Sequence, residues 1–376
     1  MSDLRILDDF RKEIEYCTFC PKMCRFSCPV AETELRETVT PTGKQTIVHL
    51  IHKGALPLTD ESVEIFFKCT GCLHCQEYCL HEIDVPRSLE AARTYAYREG
   101  KTLPAVFQLA ERMRRFGNPY GRALLPELRK LAPEKYFQEG AGIVLYPGAH
   151  LIAERSRTLR RLLGVLAALG VEVFLPNAEA LSAGIELLDA GDREGFAGHA
   201  AKVKKMLEKA GEVVFAAPQD AAAARQRYPE FGQALGGKGT TLPEFLLAHL
   251  EPAKDRLKAL SGRKVAYHDP CSLVRRLDVV EAPRKILELC GVQIVEAPWK
   301  GRDANCCGAG GAYADVFPED ATAMARKRME EFGSLRGVPL VTASPRCECH
   351  LDGAKADEGI QVLDVVDIVA ESLGVN

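Results

Sequence analysis

Eight of the fourteen cysteines lie in the first eighty residues, in two tight blocks. The first reads Cys17-Thr-Phe-Cys20-Pro-Lys-Met-Cys24-Arg-Phe-Ser-Cys28-Pro and the second Cys69-Thr-Gly-Cys72-Leu-His-Cys75-Gln-Glu-Tyr-Cys79. Three cysteines wound closely together present thiolates to three corners of one iron–sulfur cubane, and a fourth ligand comes from elsewhere. Pairs of C-x-x-C also bind zinc tetrahedrally. Zinc usually takes two such pairs, whereas each block here has three close cysteines and a trailing fourth. The spacing favours two [4Fe–4S] clusters.

In two-cluster ferredoxins the trailing cysteine of each block ligates the other block's cluster. On that logic Cys17, Cys20, Cys24 and Cys79 hold one cluster, and Cys69, Cys72, Cys75 and Cys28 the second. Two departures remove no thiolate: three residues separate Cys20 from Cys24, and Leu80 stands where a proline usually follows the last cysteine. His49, His52, His74 and His81 lie nearby. With the coordination already complete, they are expected to hydrogen-bond sulfur or face solvent.

A third group, Cys271, Cys306, Cys307, Cys347 and Cys349, is dispersed in sequence. Each member follows an expected strand, and in an open α/β sheet the loops at the carboxyl ends of the strands converge, so these thiols should meet at one rim. Gly308-Ala-Gly-Gly311 would let backbone N–H groups approach an anionic cluster. The plainer alternative is a set of buried structural thiols. Cys290, among Ile286, Leu287 and Leu289, reads as core. Asp269 is expected to cap the next helix, and His268 to hydrogen-bond near the cluster, with an acid–base pair as the alternative. Arg275 and Arg276 either offset cluster charge or face solvent.

The elements that position these residues follow from pattern. Residues 1–100 read as helices and turns, with a turn at Pro41-Thr-Gly-Lys44, an N-cap at Thr59 and a helix opening at Pro86. Residues 101–140 read as a helical linker. From residue 141 strands alternate with helices, the mark of a parallel sheet: Ile143–Tyr146, helix Ser156–Leu169, Val171–Leu175, and later Val213 to Pro218. The pattern returns at Lys264–Tyr267, helix Ala282–Cys290, Val292–Val295 and Leu340 to Pro345, which implies a duplicated unit. Laid together, Cys271 falls opposite Ala149, Cys306-Cys307 opposite Ser182-Ala183, and Cys347 opposite Asp220. The first copy, 141–255, has lost its cysteines. The second, 256–376, keeps them.

With the eight-cysteine region, the series Cys271…Cys306-Cys307-Gly308…Cys347 resembles the cysteine-rich CCG domain of heterodisulfide reductases. It also resembles the iron–sulfur subunits of glycolate oxidase, lactate-utilisation and anaerobic glycerol-3-phosphate dehydrogenase systems. The resemblance implies an α+β multidomain chain, in which an N-terminal α-helical ferredoxin domain precedes a duplicated α/β cysteine-rich region. It implies a third [4Fe–4S]-type cluster, or zinc, on Cys271, Cys306, Cys307 and Cys347, with Cys349 as a further candidate. Ser344 stands where the complete heterodisulfide-reductase repeat has another cysteine. The role implied is an electron-transfer subunit of an anaerobic hetero-oligomeric oxidoreductase with a flavin- or iron–sulfur-containing partner. The alternatives are thiol–disulfide reduction at the C-terminal cluster, or structural zinc there with only the ferredoxin region redox-active. One occupied repeat cannot grip both sulfurs of a disulfide symmetrically, which favours the conduit.

Composition bounds the rest. With 376 residues, 47% hydrophobic and 27% charged, the chain has room for two or three ordinary globular domains. A net charge of −3 gives no reason to expect nucleic acid or an anionic membrane surface as partner. Reduced, metal-type cysteine spacing and the absence of a leader pattern suggest a cytoplasmic protein, and no stretch reads as a membrane span. Gly236-Gly-Lys-Gly239 lacks the phosphate-loop spacing, and no G-x-G-x-x-G follows a strand, so flavin or nicotinamide would belong to another chain.

Overall fold

A computed structural model describes residues 4–137, 142–237 and 239–376. Lys238 of the glycine-rich loop and the expected boundary near residue 141 lie outside the described residues. The N-terminal region is built from short helices, chiefly Arg11–Thr18, Pro29–Glu34, Pro41–His52, Asp60–Phe67 and Val85–Arg98. Pro41-Thr-Gly-Lys44 is not a turn but the first turn of a helix. Thr40 Oγ1 accepts from Gly43 N at 3.1 Å, and a proline is tolerated where no intrahelical N–H is needed. Thr59 caps the next long helix in a reciprocal box with Ser62. Asp84 caps the following one, so Pro86 is its second residue rather than its first.

The stretch expected as a linker forms helices Pro104–Phe116 and Leu125–Leu131. Val106, Leu109, Ala110 and Met113 are buried, so the first of these helices is part of the core.

Two four-stranded parallel sheets follow. The first contains β1 (Ile143–Tyr146), β2 (Val173–Phe174), β3 (Glu212–Phe215) and β4 (Gly239–Thr241), in the order β2-β1-β3-β4. The second contains β5 (Lys264–His268), β6 (Gln293–Val295), β7 (Leu340–Thr342) and β8 (Val362–Asp364), in the order β6-β5-β7-β8. The orders are the same, as a duplication requires. Short apolar runs suit parallel strands covered on both faces by helices. The copies exchange helices reciprocally: Ser156–Leu169 packs on Val365–Leu373, while Leu242–Leu250 packs on Glu281–Leu289. This interleaving gives both sheets one apolar core, in which Leu145, Leu166, Val265, Val369 and Cys290 are buried. Among the described residues no helix is long and apolar enough to cross a membrane.

Candidate metal centres

All fourteen cysteines are free. The structure brings Cys17, Cys20, Cys24 and Cys79 together: the charges opposing Cys17 ionisation are those of Cys24, Cys20 and Cys79. Burial, then these neighbours, push Cys17 up to about 12. Cys24 is raised to about 11 by burial, then by Cys79 and Cys20. A separate small cavity is lined by Cys28, Cys69, Cys72, Cys75 and Lys44. Burial raises Cys75 well above an ordinary thiol, and Cys28, Cys72 and Cys69 add to the effect. Crowded, buried thiols cannot all ionise against one another unless cations replace their protons, so this donor chemistry fits metal clusters. His52 pairs with Asp8 at 2.8 Å. His81 lies against the Tyr16 ring. His74 neither faces solvent nor hydrogen-bonds sulfur: it is buried beside Tyr78 and Trp299, with both ring nitrogens unpartnered.

The C-terminal thiols meet where the second sheet's strand order reverses. Cys271 follows β5 and Cys347 follows β7, the two strands flanking the switch point. Cys307 Sγ is 3.4 Å from Cys347 Sγ. Cys306 lies against Cys271, Cys307 and also Cys72 of the second block. Cys307 is held well below the usual thiol range, by Cys306 first and then by Cys347. Cys306 is pushed up correspondingly. Gly308 N donates to Cys306 Sγ at 3.3 Å.

Of the two remaining candidates, Ser344 lines the same cleft as these cysteines, whereas Cys349 lies apart from them. Ser344 Oγ accepts from Cys347 N as the N-cap of helix Pro345–Ala354. Cys349, two residues beyond Cys347, faces a different cavity with Tyr120, His150 and Glu154, as side chains two apart on a helix do. Burial and the neighbouring Glu154 keep its thiol protonated there.

His268 lies within 4.8 Å of the Cys307 and Cys347 sulfurs and on distance alone could ligate a metal. The buried Arg328 decides otherwise. Its Nε donates to His268 Nδ1 at 3.1 Å. A guanidinium is always a donor, so a neutral ring carries its proton on Nε2, which has no hydrogen-bond partner, and presents an N–H rather than a lone pair. Asp269 caps no helix. Its two oxygens accept from Arg284 at 2.7 and 2.8 Å and from Gly301 N at 2.8 Å, which ties the loop after β6 to β5.

Gly308 N is aimed at a thiol of the candidate metal site, while Gly310 and Gly311 pack on protein. A Cβ on Gly310 would sit 2.4 Å from Thr70 O, and one on Gly311 2.2 Å from Cys69 O, so only glycine lets this loop lie on the second cysteine block. Arg275 reinforces the joint. Its Nε donates to Cys72 O at 2.6 Å, and its Nη1 to Arg302 O and Ala304 O at 2.6 and 2.8 Å. Arg276 Nη2 donates to Gly71 O at 2.9 Å. Arg275 also offsets thiolate charge, acting after Cys306 to lower Cys72 and Cys271, and both arginines hold the two cysteine regions together.

Comparison with known proteins agrees with this division. Residues 13–83 match the model of a 4Fe-4S dicluster domain, and residues 265–352 that of the CCG cysteine-rich domain. The chain carries both domains. It is 27% identical over 368 residues to one of the subunits of the fumarate reductase (CoM/CoB) of Methanothermobacter marburgensis, covering 95% of this chain and 71% of that protein. It is 29% identical over 324 residues to one of the subunits of the dihydromethanophenazine:CoB–CoM heterodisulfide reductase of Methanosarcina barkeri, covering 82% of this chain and 78% of that protein. It is also similar to an EtfAB:quinone oxidoreductase of Syntrophomonas wolfei, 26% identical over 352 residues but covering only 47% of that protein. In fold it is similar to a hypothetical protein from Helicobacter pylori, with a TM-score of 0.54 at 10% identity over 99% of this chain and 76% of that one. The chain is thus an iron–sulfur protein related to subunits of heterodisulfide reductase and of fumarate reductase.

Proposed function

We propose that this chain is the electron-relaying subunit of a multi-subunit oxidoreductase, working with a flavin- or iron–sulfur-containing partner. Cys17, Cys20, Cys24 and Cys79 would hold one [4Fe–4S] cluster, and Cys28, Cys69, Cys72 and Cys75 the other. Cys271, Cys306, Cys307 and Cys347 would hold a third cluster, with zinc as the alternative. Bound there, such clusters supply one-electron storage. The chain's own residues fix the thiolates, exclude water and set the spacing between sites. The observation that carries the reading is the packing of Cys72 and Cys306 in one buried cluster, at a joint closed by Gly310, Gly311 and Arg275. A non-redox module has no need to press two metal-binding loops sulfur to sulfur.

A second reading, disulfide reduction at the C-terminal site, is favoured by a cleft lined by Cys271, Cys306, Cys307 and Cys347 together with Arg276 and Arg346. In the first repeat, Ser182, Ala183 and Asp220 occupy the equivalent positions, and Ala183 N donates to Asp220 Oδ1 at 2.8 Å. Only one side of the cleft therefore offers thiols. The deciding experiment supplies the anaerobically purified chain with an artificial one-electron donor and a small disulfide. A relay protein reduces its own centres without turning over the disulfide, whereas steady turnover would favour the second reading.

A further inference from the structure

Lys44 is a cation in an unfavourable place. It is 1% exposed and lies in the first turn of helix Pro41–His52. Burial penalises an unpaired ammonium, and the helix dipole opposes positive charge at that end. Among the described residues it pairs with no carboxylate. Its Nζ lies 3.6 Å from Cys28 Sγ, and it lines the cavity of Cys28, Cys69, Cys72 and Cys75. The negative charges acting on it are those of Cys28, Cys69 and Cys75. Two further buried cations flank the same cavity: Arg93 Nη2 donates to Cys69 O at 3.2 Å, and Arg275 donates to Cys72 O.

The first block has no counterpart. The groups acting on Cys17 and Cys24 are chiefly other thiols, with the Thr42 hydroxyl beside Cys17. Its nearby cations, Lys22 and Arg25, are exposed, and Arg25 pairs with Glu37. One helix turn thus presents a neutral hydroxyl to one site and a buried ammonium to the other.

A cubane held by four thiolates is an anion, and one-electron reduction adds another negative charge. A buried cation beside it stabilises the reduced form more than the oxidised form. We infer that Lys44 makes the second cluster the higher-potential member of the pair. An electron entering the N-terminal region then settles at Cys28, Cys69, Cys72 and Cys75, beside the C-terminal thiols, and Lys44 is a positioning residue for relay direction. The inference rests on the ligand sets proposed above.

The test is an anaerobic redox titration of the full chain followed by EPR, with iron and sulfide analysis of the same samples, for wild type, Lys44→Met and Lys44→Arg. The expected result is a fall in the midpoint of the higher-potential [4Fe–4S] signal in Lys44→Met, no change in the lower one, and retention of both in Lys44→Arg. Two clusters present with neither midpoint moved, or a shift confined to the lower-potential signal, would overturn the inference. Wild-type protein without two clusters would instead overturn the ligand assignment. A second measurement does not depend on Lys44→Met assembling. Cys75→Ser must perturb the higher-potential signal, and perturbation of only the lower one refutes the inference.

Discussion

Gly311→Ala should loosen the joint between the cysteine-rich domain and the second cysteine block. Gly311 has φ +68°, and an added Cβ would lie 2.2 Å from Cys69 O, within 3.0 Å of Thr70. Left-handed backbone costs a non-glycine residue about 1–2 kcal/mol. The overlap demands a backbone shift of the kind that costs about 1–3 kcal/mol in packed interiors. The total is about 2–5 kcal/mol, or roughly 1 M in urea midpoint for a slope of about 3 kcal/mol/M. Gly333→Ala separates the two contributions, because Gly333 has φ +69° with nothing within 4 Å of its added Cβ. It should lose only the backbone share. The assay is equilibrium urea unfolding of both variants beside wild type, with the rate at which the C-terminal centre is reduced through the N-terminal clusters. Equal losses for the two variants, with that rate unchanged in Gly311→Ala, would refute the claim that Gly311 sits at a joint the relay uses.

Four further outcomes follow. His268→Gln should retain full metal content, because the Arg328 donor to Nδ1 leaves the ring proton on Nε2; metal loss on elemental analysis would make it a ligand. Cys349→Ser should leave metal content unchanged, since Cys349 lies in another cavity beside Glu154, while Cys307→Ala should remove the C-terminal metal. Burial, and next Glu186, raise the Asp220 carboxyl to about 8 from 3.8. The folded chain therefore holds a proton that the unfolded chain releases. The resulting stability is fully present below about pH 4 and is lost as pH rises to about 8, at up to about 1.4 kcal/mol per pH unit. Asp220→Asn can still accept from Ala183 N and should flatten that slope in urea unfolding from pH 5 to 8.

Much of the architecture is legible in the sequence because it rests on local pattern. Cysteine spacing carries the metal chemistry, and the repeated strand–helix signals give both sheets, since short apolar strands ended by proline survive in each copy. The edge strands β4 and β8 are not legible: Gly239-Thr-Thr and Val362-Leu-Asp are three residues long and lack an apolar run. Pro41-Thr-Gly misleads because proline and glycine usually mark turns, while the capping Thr40 before them is the better signal. Local sequence suggests a cap at Asp269, but its partner Arg284 is supplied by tertiary packing, which no spacing reveals. The glycine run does permit close approach, to Cys306 Sγ at Gly308 and also to the backbone of Cys69 and Thr70 at Gly311 and Gly310. Lys44 does leave a trace. It stands in register with Val48 and Ile51 on the buried face of its helix, where a lysine must have anionic company.

The central claim, three redox centres in one chain, is tested most directly by iron, sulfide and zinc analysis of anaerobically purified protein with EPR of its reduced and oxidised forms. The expected result is about twelve irons per chain, as three four-iron clusters require, with a third signal that disappears in Cys307→Ala. About eight irons with one zinc, and no third signal, would confine redox chemistry to the first eighty residues. The joint at Cys72 and Cys306 would then be structural, and the relay beyond Cys79 wrong.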